Sequence, residues 1–245
     1  MNAESNGQKS LPTKWIVGAI AAVLVVIAGI AIVGGGSDDG GSANDADGSG
    51  AQVTTSPDDS AAGSADGSAG GVAGEFQPVT ATGEALVPLE ESVPAPGSDP
   101  AEGVAAPVLS GFDFAGAPVS VAPSGKPVLL VFLAHWCPHC NAEIPRLIEW
   151  KESGQMPDSL EVVGIATGSR DDQANWPPSQ WLVDKEWPWA VMADSEAQDA
   201  AYAMGVSGYP GLVLLDGDGT VLARRSGEAS VSELDEWVSS AMPSA

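Results

Sequence analysis

A seven-residue apolar run, Val128 to Ala134 (VLLVFLA), leads without a break into His135-Trp136-Cys137-Pro138-His139-Cys140. An uninterrupted run of that length suits a buried central strand better than a helix. The next stretch, Asn141 to Trp150, places Ile144, Leu147, Ile148 and Trp150 on one helical stripe. Cys137 therefore falls at a helix N-terminus, where unpaired N–H groups and the macrodipole favour an anion. The thiolate is the reactive form of cysteine. Cys140 lies one turn further on, within bridging reach, so the pair can pass between dithiol and disulfide. His139, between them, can add positive charge or a hydrogen-bond donor beside the thiolate. Stabilising the thiolate stabilises the reduced form and makes the disulfide a better oxidant. Pro138 is tolerated in the first turn, where its missing N–H costs nothing.

Beyond this helix, Leu160 to Ala166 reads as a second buried strand and Ser179 to Lys185 as a short helix. Trp189 to Met192 is a short strand, Glu196 to Met204 a helix, and Gly211 to Leu215 a strand. The tight-turn signal Asp216-Gly217-Asp218-Gly219 then folds Val221 to Arg225 back as a hairpin. Ser230 with Glu233 fits a capping box that opens a last helix, running to about Ala241. This alternation demands an α/β fold with a central mixed sheet flanked by helices. About 140 residues suffice for one sizeable core.

Charge divides the chain of 245 residues, net −24, into three parts. Residues 1–33 carry a net of +1, residues 34–106 a net of −13 with no Lys or Arg, and residues 107–245 a net of −12. Trp15 to Val33 is uncharged, and as a helix it would span roughly 28 Å, close to the hydrocarbon thickness of a bilayer. Lys9 and Lys14 precede it and Asp38 and Asp39 follow, so the positive-inside bias puts residues 1–14 in the cytoplasm and the rest outside. The reading is a single-pass transmembrane anchor over 15–33, with Trp15 at the interface. A cleaved signal peptide is the alternative, but this run is longer than an ordinary apolar core of that kind and offers no Ala-x-Ala site. Residues 34–104 are rich in Gly, Ser, Ala, Asp and Pro, with Phe76 the one aromatic. Such a composition buries too little apolar surface to offset its conformational entropy and reads as a disordered acidic tether. The folded domain is expected over 105–245.

The acidic balance excludes nucleic acid and anionic lipid surfaces as partners, since both need clustered Lys and Arg. Two cysteines cannot build a disulfide framework. His135, Cys137, His139 and Cys140 crowd four possible ligands into six residues, whereas zinc folds join two separated pairs, so no metal is assigned. No Gly-rich phosphate loop suggests an organic cofactor, which leaves the Cys137–Cys140 couple as the redox group. A non-catalytic copper-binding module, using both cysteines and a histidine, is the reading from a different class. A peroxidase is disfavoured because Ala134, not Thr or Ser, stands three residues before Cys137.

Strand, Trp136-Cys137-x-x-Cys140, helix, and a later Tyr209-Pro210 before a strand together resemble the thioredoxin fold. The continuation Cys140-Asn-Ala-Glu143-Ile-Pro145 is similar to the TlpA/ResA-like membrane-anchored thiol-disulfide oxidoreductases, over roughly residues 107–242. The resemblance implies that Cys137 is the exposed attacking cysteine and Cys140 the buried resolving one. It implies that Glu143 accepts or supplies a proton, that Trp136 flanks the site, and that Pro145 kinks the helix. Pro210 matches the cis-proline that faces the cysteines, with Tyr209 before it. It further implies exchange with exported protein thiols and disulfides, and a membrane redox partner that recharges the domain. The direction stays open: the scaffold suggests a reductase, whereas Cys-Pro-His-Cys resembles DsbA, an oxidant. Tyr209 also departs from the family, which more often has Thr there. His135 either modulates Cys137 or simply ends the strand. Trp176, Trp181, Trp187 and Trp189 either meet substrate or pack a loop.

Overall fold

The computed structural model describes residues 71–242, which form β1 (Thr80–Thr82), β2 (Val108–Phe112), β3 (Pro118–Val121), β4 (Val128–Leu133), α1 (Pro138–Glu152), β5 (Glu161–Ala166), α2 (Pro178–Asp184), β6 (Ala190–Ala193), α3 (Asp199–Ala203), β7 (Gly211–Leu215), β8 (Val221–Ser226) and α4 (Val231–Ala241). The strands make one mixed sheet in the order β1-β2-β6-β5-β4-β7-β8, with β3 paired to β2. β4 runs parallel to β5 and antiparallel to β7, with Phe132 opposite Gly211 and Val128 opposite Leu215.

The unbroken apolar run of β4 follows from this central place. Side chains alternate across a strand, so both faces must be apolar when both are covered. Leu129, Val131 and Leu133 enter the core shared with Ile144, Leu147 and Trp150 of α1 and Leu234 and Val238 of α4. Leu130 and Phe132 enter the opposite core with Met192, Ala200, Met204 and Val213. α1 begins where β4 delivers the chain to the sheet's end. Cys137 is its N-cap residue and Pro138 stands in its first turn. The capping box of α4 forms as expected, with the Ser230 hydroxyl accepting from the Glu233 N–H and the Glu233 carboxylate accepting from the Ser230 N–H. The hairpin turn forms too: Asp216 Oδ1 accepts from the N–H groups of Asp218 (2.9 Å) and Thr220 (2.8 Å), and Gly219 takes φ +80°.

Two expectations need correction. The helix expected over 196–204 shortens to α3. The buried Asp194 carboxylate accepts from the N–H groups of Ser195, Ala200 and Ala201, which fixes the preceding residues as a turn that ends at Gln198 with φ +63°. The tether expected over 34–104 stops short of residue 104, because residues 71–104 are folded chain. β1 pairs antiparallel with β2, and Leu86, Leu89 and Ala101 are buried. The Leu86 and Leu89 N–H groups donate to the Ala203 and Gly205 carbonyls, both at 2.9 Å. Asp99 grips Arg224 through two hydrogen bonds of 2.8 and 2.6 Å. A few well-placed apolar side chains and one buried ion pair hold a segment whose average composition is that of a coil. The expected cytoplasmic N-terminus, the anchor over 15–33 and the tether from 34 to 70 lie outside the described residues. No helix among the described residues is long and apolar enough to cross a membrane.

Candidate active site

Cys137 and Cys140 are free thiols at the start of α1. Cys140 is inaccessible, and Cys137, expected to be the exposed one of the pair, is only 6% exposed. The cause is the Tyr209–Pro210 loop, which lies over it: the Cys137 thiol donates to the Tyr209 carbonyl at 3.5 Å. The Tyr209–Pro210 peptide is cis, as the resemblance implied, and Trp176–Pro177 is cis as well. Tyr209 is held from two sides. Its hydroxyl donates to Gln198 Oε1 at 2.6 Å, and its ring meets the Trp136 ring edge to face at 6.4 Å. Trp136 is itself fixed by its indole N–H, which donates to the Gly168 carbonyl at 2.8 Å. Gly168 has φ +58° and lies against the Tyr209 ring, where a Cβ would come within 3.2 Å of ring atoms.

Behind the cysteines, Glu143 is fully buried one turn beyond Cys140 on α1. Its Oε2 accepts from the Ala229 N–H at 2.9 Å and lies 3.7 Å from Arg146 Nη1. Its Oε1 has no hydrogen-bond partner among the described residues. Burial raises this carboxyl to about 7, against the Ala229 N–H and the charges of Arg225 and Arg146, which pull it down. Burial likewise pushes the Cys140 thiol far above its ordinary range. A thiol that holds its proton so tightly would need a base within reach in order to react, and Glu143, an acid that changes charge near neutrality, lies one turn beyond it.

The histidines separate in role. His135 is fully buried, with Nδ1 2.7 Å from the Ala174 carbonyl and Nε2 3.0 Å from the Arg170 N–H. That pairing places the proton on Nδ1 and makes Nε2 the acceptor. Burial holds the ring below its ordinary basicity, and both nitrogens are occupied, so His135 is part of the scaffold. Pro138 and His139 are exposed. His139 Nδ1 lies 2.6 Å from Glu228 Oε1 rather than on a cysteine.

Several site residues lie beyond what local sequence signals. Asn141 donates to the carbonyls of His135 (3.2 Å) and Cys137 (3.0 Å) and accepts from the Trp181 indole (3.0 Å), tying the cysteine turn to α2. Asn175 donates to the His135 carbonyl at 2.8 Å. Arg146 and Glu228 form an ion pair on the surface beside Glu143. Only the helical offset of Arg146 from Glu143 could have flagged one of these. The tryptophans pack: Trp181 is buried, Trp187 and Trp189 stack edge to face at 4.8 Å, and Trp176 meets Phe76 and His135.

Residues 103–224 match the AhpC/TSA family. The chain is 29% identical over 120 residues to the thiol:disulfide interchange protein DsbE of Pasteurella multocida, covering 49% of this chain and 61% of that one. It is 32% identical over 118 residues to DsbE of Escherichia coli, covering 48% and 59%. The chain thus spans about three-fifths of the length of these curated relatives. Among solved structures, a thiol:disulfide interchange protein of the thioredoxin family from Chlorobium tepidum is 26% identical, with 58% of this chain and 97% of that chain covered at a TM-score of 0.47. The mixed sheet with helices on both faces is a thioredoxin-like α/β fold, and the segment 103–224 is similar to the AhpC/TSA family.

Proposed function

We propose that the chain is an extracytoplasmic thiol-disulfide oxidoreductase, anchored by residues 15–33, that exchanges disulfides with exported proteins. The supporting observation is one constellation: Cys137 at the cap of α1 against the Tyr209 carbonyl, with Cys140 and the buried acid Glu143 behind it. The names of the relatives, thiol:disulfide interchange proteins, agree with this chemistry.

In the reductive direction the Cys137 thiolate attacks one sulfur of a substrate disulfide. A Cys137–substrate disulfide forms and the other substrate sulfur leaves as a thiolate. Cys140 then loses its proton to Glu143 and attacks Cys137 Sγ, which closes the Cys137–Cys140 disulfide and releases the second substrate thiolate. The substrate gains two electrons and the pair loses them. The oxidative direction is the same path reversed, and in either case a membrane redox partner resets the pair. Tyr209, held between Trp136 and Gln198, presents its backbone rather than a free ring to the incoming chain.

The test is equilibration of the full chain with glutathione buffers, with the Cys137–Cys140 couple followed by tryptophan fluorescence. A reversible two-electron couple is expected. A potential near about −120 mV makes the protein an oxidant, and one near about −270 mV a reductant. Cys140→Ser should accumulate a mixed disulfide with a model substrate and Cys137→Ser should not. Absence of a reversible couple overturns the reading. Stoichiometric copper on chelator-free protein would then support the binding module, although both His135 nitrogens are occupied by the backbone.

A further inference from the structure

Three consecutive residues between β8 and α4 touch three parts of the site. The Gly227 N–H donates to the Pro210 carbonyl at 2.8 Å. The Ala229 N–H donates to Glu143 Oε2 at 2.9 Å. Between them, Glu228 reaches α1 with both carboxylate oxygens: Oε1 takes His139 Nδ1 at 2.6 Å, and Oε2 takes Arg146 Nη1 at 2.5 Å. Arg146 and His139 lie seven positions apart, two turns along one face of α1, so one carboxylate spans both. The Glu228 carbonyl is also held, by Arg225 Nη2 at 3.2 Å. An acidic side chain fixed at its backbone and at both oxygens is not a loosely solvated surface charge. Its two partners lower its proton affinity, His139 foremost and Arg146 next, so the group is a carboxylate at neutral pH.

We propose that Glu228 is a positioning residue for the cysteine couple: anchored by Arg146, it holds the His139 ring on itself and thereby keeps that ring from serving as a donor to the Cys137 thiolate. This rests on the exchange reading above. His139 sits between the two cysteines, and its side chain is 65% exposed, so beyond the Glu228 contact little restrains it. A donor or positive charge that reaches the thiolate stabilises the reduced form and raises the potential. Glu228 therefore holds the couple at a lower potential than the dipeptide Pro138-His139 would set alone. The residue belongs to neither the cysteine motif nor its helix and is 88 positions downstream of Cys140 in the sequence.

The experiment compares four full-length chains in the same glutathione buffers at pH 7: unsubstituted, Glu228→Gln, His139→Ala and the double variant. Glu228→Gln frees the ring, and the equilibrium with glutathione should move roughly fivefold toward the dithiol, as expected for one charge-assisted contact in a partly screened site. That is about 20 mV more oxidising. In the His139→Ala background the same substitution should move the equilibrium less than twofold. Urea midpoints of the four chains check that each is folded. A Glu228→Gln chain with the parent potential overturns the proposal, and so does a shift of the same size with His139 absent, because Glu228 would then act without the ring. A parent chain with no reversible couple overturns the exchange reading itself.

Discussion

At Glu143 the cost of burying a carboxyl is turned into a proton near neutral pH. Its ordinary value is 4.5 and burial takes it to about 7. Between those two values the folded chain binds more protons than the unfolded one, so this residue makes stability fall as pH rises through the window, and the loss is complete above about 7. Glu143→Gln removes that dependence while keeping the acceptor for the Ala229 N–H. Urea unfolding of the reduced chain at pH 4.5 and at pH 8 should show the variant gaining on the parent by about 3 kcal/mol between the two conditions. Parallel pH profiles would mean that the acid is solvated. The same variant should slow resolution of a mixed disulfide by about 10- to 100-fold at neutral pH, as for loss of a general base, measured as release of a thiol-linked chromophore. The places of Cys137, Cys140 and Pro138 were legible because a strand end and a helix start mark them, whereas the cis Pro210 was legible only through the resemblance to the thioredoxin fold. Glu228 and Asn175 were not, because their partners lie far away in sequence and no local pattern marks such contacts.

Among the elements, the strands buried on both faces announced themselves and the short strands at the β1 end of the sheet did not. β4, β5 and β7 are apolar runs, and α4 carries a capping box that reads directly from Ser230 and Glu233. β1, β2 and β3 are Thr-Ala-Thr, Val-Leu-Ser-Gly-Phe and Pro-Val-Ser-Val. Short strands with one or both faces open to water need no apolar run, so nothing separates them from loop. The segment 71–104 is illegible for a related reason: what holds it is tertiary. Arg224 of β8 donates to both oxygens of Asp99 and also to the carbonyls of Val87 (2.8 Å) and Met204 (3.1 Å), with both charged side chains 1% exposed. Removing one partner of such a pair leaves the other charge buried without compensation. Asp99→Ala should therefore cost about 3–5 kcal/mol in urea unfolding. A loss below about 1 kcal/mol would show that the segment adds little to the domain. The consequence reaches the site, since this segment's backbone is bonded to Gly205 and Ser226, on either side of the Tyr209–Pro210 loop in sequence.

For the whole chain, charge and redox chemistry make one argument. A domain of net −12 over 107–245 has no affinity of its own for an anionic membrane, yet the proposed exchange with a membrane redox partner would require it to stay near one. The uncharged span 15–33 would supply that nearness, and the acidic stretch after it would give the domain reach while repelling the lipid surface. Two cysteines in the whole chain make its topology readable, because any thiol label reports on the site itself. In intact cells expressing the full chain, after reduction, a membrane-impermeant maleimide should modify Cys137 to the same extent as in lysed cells. The protein should sediment with membranes and resist extraction by alkaline carbonate, yielding only to detergent. Replacing Leu24, Val25 and Val26 by Asp would disrupt the apolar span and should abolish membrane retention. Modification only after lysis would put the thiols in the cytoplasm, where the glutathione and thioredoxin systems keep thiols reduced and disulfide exchange with exported proteins has no place.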